Sequence, residues 1–386
     1  SETRAGAGAG AGAEATDATG ATDATDSARI AADAAEAQQA ETEAAPAEPE
    51  PPTVFWGSEE HDEAQRKPLA LTSAVYCKKG EHKLHANEDR YMMASDLNAE
   101  LEQKMGKAVE GPPGSAPPTN AYFAVFDGHG GSECATQASH RLHLLLPRDE
   151  RLWREHPEAA LLGAFEGMEA ELREGYVHSH DKSGTCALTV LIRGHRLFIG
   201  GLGDCRAIVV RGDNNSPWQQ LTTDQRATSP NEQRRILKSG GSIVDGRVWA
   251  ALIPSRTLGD FPWKDKGPAL SSEPEITKYA VAPEDRYLVL GSDGLFDVLS
   301  NKMIARLIGN KTASAQKACN ELVKELKKKH GKDDVTVIVV QVLLLFCRLN
   351  DQFYSVSASR VTQPFEVSAF CTALLSLLHY CYTEGS

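Results

Sequence analysis

Val125-Phe126-Asp127-Gly128-His129-Gly130-Gly131 joins an apolar segment to an acidic and glycine-rich one. Residues 122–126, just before the aspartate, are aromatic and β-branched enough to predict a short strand. A carboxylate that follows such a strand lies at the rim of a sheet. Because Gly128 has no side chain, its backbone can approach a bound ion and offer its carbonyl as a ligand. The stretch therefore predicts a strand that ends in a polar site.

Acidic side chains stand at further predicted strand ends: Asn87-Glu88-Asp89, Gly203-Asp204, Gly291-Ser292-Asp293-Gly294 and Lys332-Asp333-Asp334. An isolated Asp-Gly pair is usually a turn signal, so the hypothesis depends on the whole set. Carboxylates that converge at one rim repel one another and must hold something positive. Oxygen ligands suit Mg²⁺ or Mn²⁺ and disfavour zinc or copper, so the set predicts a site for hard cations.

Strands are predicted in groups rather than in strict alternation with helices. The β-rich runs are residues 72–77, 91–94, 122–126, 185–192, 196–200, 207–211, 287–290 and 335–342. Helical periodicity marks residues 134–146, 158–177, 232–239, 302–308 and 315–330. This order favours an α+β fold, with helices packed on largely antiparallel sheets, over a doubly wound parallel sheet.

The formal net charge of −12 is concentrated at one end of the chain. Residues 1–50 carry eleven acidic and two basic side chains, a net of −9, which leaves −3 for the remainder (−12 minus −9). Nucleic-acid binding would need a concentrated basic surface, and the near-neutral remainder predicts none. We interpret residues 1–68 as a disordered acidic Ala/Thr/Pro-rich tail, because they offer little to bury. Residues 343–386 form an extension of unknown role.

The eight cysteines are widely spaced and include no Cys-x-x-Cys pair. This spacing predicts free thiols in a reducing compartment rather than a zinc site or a disulfide framework. No apolar run approaches the roughly 20 residues that span a bilayer. We therefore expect a soluble intracellular protein in the cytoplasm or nucleus, with an organelle as the open alternative.

Over residues 69–342 the chain resembles the metal-dependent type 2C protein phosphatase family. The resemblance rests on matching segments that occur in the family's order: Asn87-Glu88-Asp89, Val125-Phe126-Asp127-Gly128-His129-Gly130-Gly131, Ser183-Gly184-Thr185-Cys186-Ala187, Gly203-Asp204-Cys205-Arg206, Gly240-Gly241-Ser242-Ile243, Ser255-Arg256-Thr257-Leu258-Gly259-Asp260, Ser272-Glu273-Pro274-Glu275, Ser292-Asp293-Gly294-Leu295-Phe296-Asp297 and Asp333-Asp334-Val335-Thr336-Val337. It implies a four-layer α-β-β-α sandwich, in which two mainly antiparallel sheets are flanked by helices.

The resemblance also implies a centre with two Mg²⁺ or Mn²⁺ ions at one end of the sandwich. Asp127 matches the carboxylate that bridges both ions in the family. Glu88 and the carbonyl of Gly128 resemble the ligands that complete one ion. Asp293 and Asp333 resemble those that complete the other.

Three further residues match positions with roles in the family. Asp89 is similar to the residue that holds metal-bound water. Asp204 matches a residue that binds, together with Asp293, a weaker third metal ion. His129 matches the proposed general acid, and the ordinary histidine pKa of about 6.5 suits protonation of an alkoxide leaving group.

These expectations predict a hydrolase that removes phosphate from phosphoserine and phosphothreonine in proteins, with a role in signalling through protein dephosphorylation. Two cations about 3.5–4 Å apart suit an in-line displacement, so direct attack by metal-activated water needs no covalent intermediate. The partners would be phosphoprotein substrates, and the family commonly acts as a monomer. Alternatives from other classes are a catalytically weak or inactive phosphatase-fold protein that binds phosphoproteins, and another metal hydrolase such as a nuclease.

The chain departs from the family's pattern at several positions. Leu84 stands where the family usually has an arginine that grips phosphate, and Lys83 beside it can supply a point charge but not a bidentate fork. We expect weaker substrate binding, or another basic residue in that role. Gln225 replaces a frequent histidine at the start of the flap segment, residues 225–247, which bears on substrate selectivity. Asp334 replaces a frequent asparagine.

Overall fold

The computed structural model describes residues 69–80, 85–106, 120–212, 217–329 and 331–343. The chain divides into two units, Ser1–Ala64 and Gln65–Ser386, and every described residue lies in the second. The predicted tail at residues 1–68 and nearly all of the predicted extension at residues 343–386 lie outside the described residues. The three-part division of the chain therefore stays a prediction.

The described strands are β1 (Ala70–Lys78), β2 (Arg90–Ala94), β3 (Asn120–His129), β4 (Gly184–Arg193), β5 (Arg196–Leu202), β6 (Arg206–Arg211), β7 (Trp218–Gln220), β8 (Ile243–Val244), β9 (Arg247–Val248), β10 (Leu258–Gly259), β11 (Glu275–Ala280), β12 (Asp285–Gly291) and β13 (Val335–Leu343). The described α-helices are α1 (Leu97–Met105), α2 (Glu133–Arg141), α3 (Glu150–Glu155), α4 (Pro157–Ser179), α5 (Pro230–Lys238), α6 (Phe261–Lys264), α7 (Asp293–Phe296), α8 (Asn301–Ile308) and α9 (Ala315–Lys328).

Two sheets with antiparallel pairing form the centre of the molecule. One has the order β1-β13-β12-β6-β7, and the other has the order β11-β5-β4-β3-β2 with β10 paired to β4. The strands β8 and β9 form a separate small hairpin. The predicted α+β sandwich of two mainly antiparallel sheets flanked by helices is confirmed.

The alternation of apolar side chains along β3 shows how the layers are held together. Phe123 and Val125 belong to the core between the two sheets, where they meet residues of the other sheet such as Leu288. Tyr122 and Phe126 point to the opposite face and pack against α1, α2 and α4. Because successive side chains of a strand alternate in direction, a strand that is apolar on both faces can fill two cores.

The outer face of the other sheet is covered in the same way. Ile208, Tyr287 and Val339 from its strands pack against Ile304 of α8 and Leu322 of α9. The short helix α8 is preceded by its N-cap, Ser300, whose side chain accepts a hydrogen bond from the N–H of Met303. The four layers are therefore helix, sheet, sheet and helix.

No helix among the described residues is both long and apolar enough to cross a bilayer.

The structure corrects several local predictions. The helix predicted at residues 134–146 is divided into α2 and a 3₁₀ helix, Leu142–Arg148, that contains Pro147. The helix α1 was missed, although it is bounded by an Asp96 N-cap and by Gly106 in the left-handed conformation. The strands β7 to β11 were missed as well, since most are two or three residues long and are defined by their pairing partners.

Candidate active site

Antiparallel pairing brings the predicted site residues to one rim, because each strand begins where its neighbour ends. Near the end of β3, Phe126 pairs with Arg90 at the start of β2. At the end of β12, Gly291 pairs with Arg206 of β6 and with Val337 of β13. The predicted carboxylates adjoin these strand ends: Glu88 and Asp89 precede β2, Asp127 lies in β3, Asp204 precedes β6, Asp293 follows β12 and Asp333 precedes β13.

The carboxyl groups of Asp127 and Asp293, which belong to different sheets, lie close enough to shift each other's pKa. Burial, followed by the charges of Asp89, Asp293 and Asp204, raises the pKa of Asp127 well above its ordinary value. Burial, with the neighbouring Asp204 and Asp333, also raises the pKa of Asp293 to about 7. Like charges this close disfavour each other's ionisation, and a cation bound between them would relieve the repulsion.

Asp89 also links the two sheets. Its Oδ2 accepts hydrogen bonds from the hydroxyl groups of Ser292, at 3.0 Å, and Thr336, at 2.8 Å. Its Oδ1 is buried and has no hydrogen-bond partner among the described residues. Burial raises the pKa of Asp89 to about 6. A buried carboxylate oxygen without a partner is energetically costly, and a water molecule or a cation would satisfy it.

Glu88 and Gly128 lie in direct contact. A Cβ on Gly128 would lie 2.5 Å from the backbone oxygen of Glu88, so this close approach requires glycine. The side chain of Glu88 accepts a hydrogen bond from the N–H of Gly131 at 2.7 Å. The glycine-rich segment therefore orients the carboxylate of Glu88 as well as its own backbone.

Asp334 positions the loop before β2, a role that the sequence did not indicate. Its two carboxylate oxygens accept hydrogen bonds from the backbone N–H groups of Gly80, at 2.8 Å, and Glu88, at 2.9 Å. An asparagine, which the family often has here, could accept only one of these bonds. The predicted ligand Asp333 is partly exposed, and its Oδ1 accepts from the N–H of Asp334 at 2.7 Å.

Asp204 is buried beside an arginine that the sequence did not single out. Its Oδ2 accepts a hydrogen bond from Nε of Arg226 at 3.0 Å, and its Oδ1 accepts from Sγ of Cys186 at 3.2 Å. The guanidinium of Arg226 also donates to Oδ1 of Asp297 at 2.9 Å and lies 4.0 Å from Asp293. Arg226 follows Gln225 in the flap segment, to which the sequence assigned only substrate selectivity.

Gln225 itself is buried and supports the backbone around Asp204. The N–H of Gly203 donates to its Oε1 at 2.8 Å, and its Nε2 donates to the carbonyl of Gly201 at 3.3 Å. Its own carbonyl accepts from both the N–H and the hydroxyl of Ser255. Because the polar groups of Gln225 are hydrogen-bonded within the protein, we assign Gln225 a structural role beneath the rim.

His129 pairs with an aspartate that lies 131 residues further along the chain. Its Nε2 lies 2.7 Å from Oδ2 of Asp260, a side chain that is 1% exposed. Burial alone would lower the pKa of His129, but the charge and hydrogen bond of Asp260, together with the charges of Asp204 and Glu88, raise it. A Cβ on Gly184 would lie only 2.1 Å from the Asp260 carboxylate, so this glycine leaves the space that the carboxylate fills.

The site suits hard cations by the chemistry of its donors. Within residues 69–343, leaving aside the segments that are not described, no three His, Cys, Asp or Glu side chains form a ready-made metal-binding group. The unpartnered Oδ1 of Asp89 and the proximity of Asp127 to Asp293 nevertheless fit positive charge at this rim. The predicted phosphate contact, Lys83, and its neighbour Leu84 lie outside the described residues.

The cysteines near the rim do not offer a nucleophile. Cys186 and Cys205 are buried, and burial together with nearby aspartates raises the pKa of both thiols well above the ordinary value. A thiol needs a lowered pKa to attack as a thiolate. The described cysteines are free thiols, as predicted: Cys77, Cys134, Cys186, Cys205 and Cys319.

The sequence of the chain was compared with known protein families and with individual proteins, and it matches one family. The sequence model of the family described as "Protein phosphatase 2C" matches residues 86–335. The chain is 30% identical over 322 residues to the integrin-linked kinase-associated serine/threonine phosphatase 2C of Bos taurus, covering 74% of this chain and 82% of that protein. It is also 30% identical over 319 residues to the probable protein phosphatase 2C 30 of Arabidopsis thaliana, covering 76% and 73%.

Solved structures show the same fold at lower sequence identity. A sex-determining protein of C. elegans superposes with a TM-score of 0.60 at 23% identity, covering 70% of this chain and 65% of that one. A serine-threonine phosphatase 2C from Toxoplasma gondii superposes with a TM-score of 0.55 at 19% identity, covering 72% and 98%. Both comparisons support the sandwich architecture.

Proposed function

Because the chain belongs to the protein phosphatase 2C family, we propose that it is a metal-dependent serine/threonine protein phosphatase with phosphoprotein substrates. The observation that carries this proposal is the set of carboxylates at one rim, in which Asp127 lies close to the charges of Asp89, Asp293 and Asp204. A phosphate ester brings further negative charge to that rim. Cations would therefore be needed both to fill the cluster and to accept the substrate.

The residues at the rim divide naturally between two Mg²⁺ or Mn²⁺ ions. Glu88, Asp127 and the carbonyl of Gly128 would hold one ion, while Asp127, Asp293 and Asp333 would hold the other. When bound, such ions supply Lewis acidity toward a phosphate oxygen and make water more acidic near neutral pH.

The protein's own groups would direct the water and the leaving group. The free Oδ1 of Asp89 can accept a proton from the attacking water or orient it, since its Oδ2 is held by Ser292 and Thr336. His129, whose pKa Asp260 raises, would donate a proton to the departing serine or threonine oxygen. Water and phosphoester thus become inorganic phosphate and a free hydroxyl group.

One sequence feature favours a second candidate, a phosphatase-fold protein that binds phosphoproteins with little or no hydrolysis. Leu84 replaces the arginine that would grip phosphate, which weakens substrate binding without touching the carboxylates. The name of the bovine relative associates that protein with integrin-linked kinase. For this chain we propose only the broader class, a phosphorylated protein.

The test is phosphate release from a phosphothreonine peptide with Mn²⁺, with Mg²⁺ or with excess EDTA. We expect turnover that requires the metal and falls at least about 100-fold in Asp127→Asn and Asp293→Asn. Asp265→Asn, at an exposed carboxylate paired with Arg173, is the matched control and should retain activity. Wild-type protein that is folded and binds Mn²⁺ but releases no phosphate would favour the phosphoprotein-binding candidate, and cleavage of DNA instead would favour another class of hydrolase.

A further inference from the structure

The guanidinium of Arg226 lies where three aspartates face one another at the edge of the rim. Its Nε donates to Asp204 at 3.0 Å and its Nη2 donates to Asp297 at 2.9 Å, while the same Nη2 lies 4.0 Å from Asp293. Asp204 is 3% exposed, so this contact neutralises a buried charge. One planar cation thus reaches all three carboxylates.

We propose that Arg226 is a built-in cation at the position of the weaker third metal ion, so that this protein takes up two divalent ions rather than three. The inference rests on the proposed two-metal centre. Asp204 and Asp293 are the residues that the sequence matches to a third ion, and in this structure both face Arg226. Asp297 adds a third carboxylate to the same group.

The backbone around Arg226 holds its side chain at this position. The backbone of Arg226 forms an isolated antiparallel β-bridge with that of Pro254. The N–H of the following residue, Ala227, donates to the carbonyl of Ile253 at 2.9 Å. On the other side, the buried Gln225 is bonded to Gly203, the residue before Asp204. The guanidinium therefore approaches Asp204 from a segment that is fixed at both ends.

The neighbouring Asp224 does not compete with the rim for Arg226, because it is paired with a different arginine. Asp224 is paired with Arg206, whose Nε and Nη2 donate to its two carboxylate oxygens. Arg206 in turn lies over the ring of Phe296 and donates to Asn301. The two arginines therefore have separate carboxylate partners, and those of Arg226 include the buried Asp204.

A tethered cation has a competitive advantage over a weakly bound ion. A group linked to its site has an effective concentration in roughly the millimolar range. A third ion would also take the carboxylates that now pair with Arg226. The guanidinium would then remain unpaired and partly buried, close to the positive ion, which disfavours binding of that ion. Removing the guanidinium should therefore expose a site that the wild-type protein does not offer.

The test counts bound Mn²⁺ on the full chain without substrate, by calorimetry and by the electron paramagnetic resonance signal of free Mn²⁺. We expect about two ions per wild-type chain and about three in Arg226→Gln. Arg226→Lys, which keeps a cation, should stay at about two. Arg226→Met keeps more of the aliphatic stem, carries the same expectation as Arg226→Gln, and serves if the glutamine variant is not folded.

Two further variants locate the added ion. Adding Asp297→Asn to Arg226→Gln should return the count to about two, and survival of the third ion would overturn the assignment. Arg234→Gln, an exposed arginine of α5 bonded to Asn231, is the control and should not change the count. A count of three in the wild type, or an unchanged count in folded Arg226→Gln, would overturn the inference alone. Absence of any Mn²⁺ binding by the wild type would overturn the proposed metal centre as well.

Discussion

Asp260 holds His129 from a backbone position that few residues adopt. Its φ of 55° lies in the left-handed region, and its N–H donates to the carbonyl of Ser183 at 3.1 Å. A non-glycine residue in this region is uncommon and is maintained by its surroundings. The strain is compatible with a positioning role, because the conformation directs the carboxylate to Nε2 of His129.

We predict that Asp260→Asn lowers kcat for a phosphothreonine peptide by about 10- to 100-fold, because His129 loses the partner that orients it and raises its pKa. Turnover of p-nitrophenyl phosphate should change by less than about 3-fold, since its leaving group needs no proton. The pH profile gives a second readout. Asp260 raises the pKa of His129, so activity that needs protonated His129 should begin to fall at lower pH in the variant. Equal losses on both substrates would argue for a structural role instead.

Leu84 leads to a second prediction at this scale. Leu84→Arg restores a side chain that can grip two phosphate oxygens, so KM for the phosphopeptide should fall by roughly 10-fold with kcat little changed. Steady-state kinetics on both proteins measure this, with Leu84→Lys as the control for charge without the fork. An unchanged KM in the arginine variant would show that the protein binds phosphate by other means.

At the scale of elements, the helix α5 is fastened to the site by one buried carboxylate. Glu232 accepts hydrogen bonds from the hydroxyl of Ser255 at 2.7 Å, from Arg235 at 2.9 Å and from Arg256 at 2.6 Å. Burial alone would raise the pKa of Glu232, but its arginine and serine partners lower it to about 2. Because the lowered pKa reflects a stabilised negative charge, the ion pairs of Glu232 with Arg235 and Arg256 persist at neutral pH. They are lost only as pH falls toward 2 and Glu232 takes up a proton.

Replacing Glu232 with glutamine should loosen this part of the flap segment without unfolding the sheets. Breaking a buried ion pair by removing one partner costs about 3 kcal/mol, so hydrogen exchange in residues 230–256 should accelerate on the order of 100-fold. Exchange in β3 and β13 should be nearly unchanged. Glu155→Gln removes an exposed pair with Arg151 on α3 and should leave exchange in the flap segment unaffected. Acceleration throughout the molecule would mean that Glu232 supports global stability.

At the scale of the whole molecule, the rim opposes the stability of the sandwich when it carries full negative charge. The pKa of Asp89 is raised to about 6 and that of Asp293 to about 7, mainly by burial. In the unfolded chain these groups have already lost their protons at such pH values. The folded state therefore binds more protons, and its stability falls as pH rises through about 6 and 7.

We predict that metal-free protein has a Tm several degrees lower at pH 8 than at pH 5.5, because a tenfold difference in proton affinity between the folded and unfolded chain corresponds to about 1.4 kcal/mol. Added Mn²⁺ should raise Tm at pH 8 and have a smaller effect at pH 5.5, where protons occupy the same carboxylates. Thermal melts across this range measure both effects. In Asp293→Asn the pH dependence should be weaker, whereas Asp265→Asn should behave as the wild type. A Tm that does not change with pH or Mn²⁺ would contradict the prediction.

Sequence patterns predicted helices packed on antiparallel sheets, and the family resemblance added the four-layer order, which the structure confirms. The assignment of the carboxylates to a metal site stays a prediction. The apolar runs located the long strands because a strand between two cores is hydrophobic on both faces, as β3 is. The carboxylates stood out because each adjoins a strand end and matches a family motif. Short strands such as β10 were missed, since a two-residue element gains its conformation from pairing with β4.

The partners of the predicted residues could come only from the folded chain. Thr336 binds Asp89 across 247 residues of sequence, and Asp260 binds His129 across 131. Local patterns carry no information about such pairs, because what determines them is the register of two sheets and the burial that follows. The sequence thus predicted which groups would bind metal and transfer a proton. Tertiary packing determined their charge states and set Arg226 among the acidic residues, because desolvation and Coulomb interactions depend on distances that exist only after folding.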